Sequence, residues 1–157
     1  MPRIVIVCTK NQFRSPLAAA ILRRELDSRE MPGKWIVESA GSWVSQLAPA
    51  TPEALAEATE RGLNLSSHTA QGIEGIQRDH IDLLLVMEQG QKESILLDYP
   101  YLKGRTFLLS ELTGVAFSIP DPYVTGESHA EIALEIESLI LSNVEKIVAL
   151  AYGIGRL

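Results

Sequence analysis

Short runs of Ile, Val and Leu alternate along this chain with segments of helical pattern, and that alternation restricts the fold more than any other feature. Residues 3–7 (RIVIV), 35–39 (WIVES), 82–87 (DLLLVM) and 105–109 (RTFLL) read as strands. The first is continuously apolar, as a strand buried on both faces is. Residues 16–30, 52–62 and about 89–97 read as helices, and 128–152 as a last helix with Ile132, Ile136, Leu139, Ile140, Val144, Ile147 and Val148 at helical spacing. Ser15 and Thr51 are expected as N-caps, each with a proline at the first helical position, and Gly62 as a stop. The segment 119–126 (IPDPYVTG) is expected to be irregular, because prolines and a glycine interrupt it. Strands alternating with helices need crossover connections, which predicts an α/β fold with a mostly parallel sheet in one domain, residues 1–157. Ligands of such sheets bind beyond the carboxyl ends of the strands.

Composition removes some partners. A net charge of −6 without a basic stripe argues against nucleic acid. No apolar stretch approaches a bilayer-spanning length, so no membrane partner is expected, and no secretory leader is read at Met1. A single cysteine cannot form an internal disulfide, which points to a reducing cytoplasm. His80 and His129 lack ligand-like spacing, so neither a metal nor another cofactor is expected.

That single cysteine, Cys8, stands just past the first strand at the head of CTKNQFRSP. The loop from Cys8 to Arg14 runs from a strand end into a helix N-terminus, where unpaired N–H groups and the helix dipole favour an oxyanion. Arg14 can grip two phosphate oxygens with its planar fork. The same field favours thiolate over thiol, which makes Cys8 a nucleophile aimed at phosphorus, and Ser15 is placed to donate a hydrogen bond to it. Thr9, Lys10, Asn11, Gln12, Phe13 and Ser15 would surround the phosphate. The plainer reading is that a lone cysteine at a strand end is a small buried hydrophobe.

The order Cys-x5-Arg-Ser near the start, with Asp121-Pro122 far downstream, resembles the low-molecular-weight protein tyrosine phosphatases. Other cysteine phosphatases usually place His before the Cys and the acid upstream, whereas Val7 precedes Cys8 here. The resemblance extends through Glu38-Ser39-Ala40-Gly41, Leu65-Ser66-Ser67-His68, Ala70-Gln71 and DLLLVME at 82–88. It implies a four-stranded parallel sheet of order 2-1-3-4 with helices on both faces. It implies hydrolysis of phosphotyrosine, or of a related phosphorylated protein or small aryl phosphate, through a cysteinyl-phosphate, by a monomer or weak dimer. Asp121 would protonate the leaving oxygen and then activate water; read alone, Asp-Pro is ordinary turn chemistry. Asn11, Ser39 and His68 match a family network that fixes the loop. Glu88 would contact the loop or Arg14, or else cap a helix. Trp43 and Tyr123 would line the pocket mouth, or simply pack.

The chain departs from the family pattern at Lys10, where glycine is usual, at Phe13, where a second cysteine or another small residue is usual, and at Gln12, a position tied to substrate choice. Two other readings stay open: an arsenate reductase using a small external thiol, and a phosphate-binding module without turnover.

Overall fold

The computed structural model describes residues 1–29, 35–76 and 80–153. Four strands, β1 (Arg3–Cys8), β2 (Ile36–Gly41), β3 (Leu83–Val86) and β4 (Thr106–Leu108), form one sheet. Its order is β2-β1-β3-β4, and every pairing is parallel. The two central strands are buried throughout from Ile4 to Cys8 and from Leu83 to Val86, which accounts for their unbroken apolar sequence.

The helices are α1 (Arg14–Ser28), α2 (Pro52–Glu60), α3 (Gln89–Asp98), α4 (Pro122–Thr125) and α5 (His129–Ala151). Alternation along the strands divides the core. Ile4, Ile6, Leu83 and Leu85 pack with Leu17, Ile21 and Leu22 of α1 and Ile136, Ile140 and Ile147 of α5. Val5, Val7, Leu84 and Val86 face the other way, onto Ile95 of α3, Ile73 and Leu102. Helices thus cover both faces, as expected.

Local boundaries differ in instructive ways. α1 begins at Arg14, and its N-cap is Phe13 with no side-chain cap bond, so Ser15 does not cap and Pro16 sits at the third helical position. The Ser15 hydroxyl is turned instead toward Cys8. Residue 30, the expected end of this helix, lies outside the described residues. The segment expected to be irregular contains the single turn α4, because Asp121 accepts from Tyr123 N–H as an N-cap and Pro122 follows it. Helix α5 carries a kink at Asn143, which has φ −127° and ψ 16° and donates through Nδ2 to Leu139 O. Among the described residues no helix is long and apolar enough to cross a membrane.

Candidate active site

The loop between β1 and α1 turns on Asn11, which has φ 58° and is the one non-glycine residue with positive φ among those described. Asparagine tolerates that conformation better than most side chains do. Lys10, where the family usually has glycine, takes no such conformation, so its side chain meets no backbone penalty. Fully buried, Asn11 uses its whole amide. Nδ2 donates to Ser15 Oγ (2.8 Å) and Ser39 Oγ (2.9 Å), and Oδ1 accepts from Gln71 N–H (2.9 Å). The Asn11 carbonyl accepts from His68 Nε2 at 2.7 Å, which puts a proton on that nitrogen.

Cys8 is 2% exposed and forms the floor. Asn11 N–H donates to Sγ at 3.3 Å, and Ser15 Oγ lies 3.0 Å from it. The Ser15 hydroxyl proton also has Ala40 O at 3.3 Å. A thiolate would draw that proton, because a hydrogen bond to an ionised acceptor is the stronger one.

Arg14 is 2% exposed. Nη1 donates to Ile119 O (2.7 Å) and lies 3.1 Å from Glu88 Oε2; Nη2 lies 3.8 Å from Asp121 Oδ2. Glu88 therefore fills both suggested roles, N-cap position of α3 and contact to Arg14. Asp121 Oδ1 accepts from Tyr123 N–H at 2.9 Å. The pocket, about 200 Å³, is lined by Cys8, Lys10, Gln12, Phe13, Arg14, Thr51, Asp121 and Tyr123. Gln12 reaches out of the loop, with Nε2 donating to Pro49 O.

Trp43 does not line this pocket. Its N–H donates to Thr9 O, but its side chain is 75% exposed and borders a separate depression with Thr9, Glu88, Gln91 and Ser94. The chain after β2 follows the outside of the loop and carries Trp43 away from the mouth. Tyr123 does form a wall, edge-to-face with Phe13 at 6.1 Å. Its hydroxyl donates to Glu53 Oε1, and burial above all pushes the phenol upward from its ordinary value.

Three residues here had no assigned role from the sequence. Gln91 donates to Thr9 Oγ1 (3.0 Å) and Glu88 Oε2 (2.9 Å) and accepts from the N–H groups of Met87 and Glu88. Gln71, besides holding Asn11, donates through Nε2 to Ser39 O. Gly41 ends β2 where a Cβ would come 2.5 Å from Thr9 O, a collision that could not be read without the packing.

Fold and loop together define a class: an α/β protein with an anion-sized pocket, a thiol and a guanidinium at the carboxyl edge of its sheet. Residues 3–149 match the family described as low molecular weight phosphotyrosine protein phosphatase. The chain belongs to that family. It is 37% identical over 133 residues to a probable low molecular weight protein-tyrosine-phosphatase, EpsP, of Ralstonia nicotianae, covering 85% of this chain and 86% of that one. It is 32% identical over 150 residues to a protein-arginine-phosphatase of Geobacillus stearothermophilus, covering 92% and 95%. The crystal structure of a low molecular weight protein tyrosine phosphatase from T. tengcongensis superposes with a TM-score of 0.83 at 29% identity, covering 93% of this chain and 99% of that one.

Proposed function

We propose that the protein hydrolyses phosphotyrosine, or a related aryl phosphate, through a covalent bond between phosphorus and Cys8. The observation that carries this reading is the convergence of Cys8, Arg14 and Asp121 on one pocket with a buried hydrogen-bond network behind the loop. The apolar wall of Phe13 and Tyr123 suits a flat leaving group.

Substrate phosphate enters with its oxygens toward the loop amides and the Arg14 fork. Arg14 faces the phosphate from one side and Asp121, 3.8 Å from Arg14 Nη2, faces the leaving oxygen from the other. The Cys8 thiolate forms a bond to phosphorus, the bond from phosphorus to the leaving oxygen breaks, and Asp121 gives that oxygen its proton. Water then attacks phosphorus and yields a proton to Asp121; the phosphorus–sulfur bond breaks and the thiolate returns, steadied by Ser15 and Asn11 N–H. Lys10, exposed at the mouth, adds positive charge toward the substrate.

The test is hydrolysis of p-nitrophenyl phosphate between pH 5 and 7 with chelator present, with Cys8→Ser and Asp121→Ala beside the wild type. Turnover abolished by Cys8→Ser, and kcat cut on the order of a hundredfold by Asp121→Ala, whose carboxylate also activates the water that releases phosphate, is the expected pattern. Turnover surviving in Cys8→Ser would end the reading. Matched phosphotyrosine and phosphoarginine peptides compare the two chemistries named for its relatives, and the proposal expects the higher kcat/KM on phosphotyrosine.

A further inference from the structure

One side chain outside the catalytic loop and the acid turn touches both. His129, the first residue of α5, places its ring centroid 5.2 Å from that of Phe13 and 4.5 Å from that of Tyr123. With the Phe13–Tyr123 pair this closes a triangle of three edge-to-face contacts, at interplanar angles of 82°, 63° and 87°. The rings come from three separate stretches of chain. His129 Nε2 is buried and has no hydrogen-bond partner. What this ring offers at that edge is therefore contact rather than a hydrogen bond.

The acid turn needs such a contact. α4 has four residues, too few to hold a helix by itself, and Tyr123 to Ser128 are exposed. Pro122 at its start is buried; beyond it the turn is held through Tyr123, whose hydroxyl bonds Glu53 and lies in hydrogen-bond contact with Thr51, and whose ring packs against Phe13 and His129. Tyr123 in turn holds Asp121, since its N–H donates to Oδ1.

We propose that His129 is a positioning residue for the acid step: its ring braces Tyr123 against Phe13 and so keeps Asp121 facing the leaving group. The catalytic consequence rests on the phosphatase reading; the bracing rests on the geometry alone.

His129→Ala and His129→Phe test it by two readouts. Amide hydrogen exchange at Tyr123, Val124, Thr125 and Gly126, whose N–H groups bond to Asp121 and Pro122, needs no turnover. The second readout is kcat/KM over aryl phosphates of rising leaving-group pKa. In His129→Ala the four amides exchange roughly tenfold faster, the scale of one lost edge-to-face pair. Phenyl phosphate loses about tenfold in kcat/KM, and p-nitrophenyl phosphate, whose leaving group needs little proton assistance, less than about twofold. His129→Phe behaves as wild type in both, because it keeps the ring and gives up no hydrogen bond at Nε2. In an Asp121→Ala background His129→Ala costs nothing further in kcat/KM. Wild-type exchange in His129→Ala, an equal loss across all leaving groups, or failure of His129→Phe alongside His129→Ala would each overturn the proposal. If the wild type turns over no aryl phosphate, the phosphatase reading falls and exchange alone decides the bracing.

Discussion

Replacing Asn11 by alanine removes three side-chain hydrogen bonds from a position with no exposure to water. Each is worth about 1 kcal/mol net, and the part-buried Gln71 N–H loses its acceptor. Alanine also bears the left-handed backbone less well than asparagine, by about 1 kcal/mol. The expected loss of stability is about 3–4 kcal/mol, a large share of the roughly 5–15 kcal/mol available to a domain. Urea unfolding followed by far-ultraviolet circular dichroism measures it, with the slope unchanged and the midpoint lowered. Asn11→Gly, which relieves the backbone but restores no hydrogen bond, should recover about 1 kcal/mol of that loss. A loss below about 1 kcal/mol in Asn11→Ala would refute the reasoning, because it would mean that the network satisfies itself without the amide.

Gly41→Ala pushes a Cβ to within 2.5 Å of Thr9 O and of Val44 Cγ2, and should cost about 2 kcal/mol in unfolding free energy together with turnover, since Thr9 belongs to the loop between Cys8 and Arg14. Arg14→Lys exchanges a planar fork for a point charge and gives up the Ile119 anchor; kcat/KM on p-nitrophenyl phosphate should fall on the order of a hundredfold, and retention of more than half would contradict the assigned role. Tyr123 is raised by burial first and by the neighbouring acids, so its phenol should ionise above the ordinary value of about 10. A group raised in the folded state gives stability that is intact below its unfolded pKa and lost as pH climbs through the folded one, so the Tyr123 contribution fades only in strong alkali. Ultraviolet titration of the wild type against Tyr123→Phe isolates this transition; a difference titration centred at or below 10 would contradict it.

The sheet was legible because its central strands are buried on both faces and so are written as unbroken Ile, Val and Leu. The loop that brings Cys8 and Arg14 to one pocket was legible because both belong to one local stretch. The start of α1 was misjudged for a physical reason: Ser15-Pro16 carries a capping pattern, but the serine oxygen faces Cys8 and Asn11, and the helix begins earlier without a cap. Whether Trp43 lines the mouth or simply packs is not legible, because its direction depends on how the chain after β2 crosses the loop. Gln91, Gly41 and His129 act through contacts made across sequence separations that no local pattern records. Phe13 is the instructive departure. A bulky ring where the family usually has a small residue is accommodated because Tyr123 and His129 pack edge-on against it.

In the proposed reaction phosphorus becomes bonded to Cys8 during turnover. Rapid acid quench of the protein mixed with an aryl phosphate, followed by peptide mass spectrometry, reads this directly, and Asp121→Ala lengthens the life of the intermediate by slowing attack by water. One phosphoryl group is expected on the peptide that contains Cys8, formed in step with release of the first equivalent of phenol. Phenol release with no phosphoryl group on Cys8, or with phosphoryl transfer to another side chain, would contradict it.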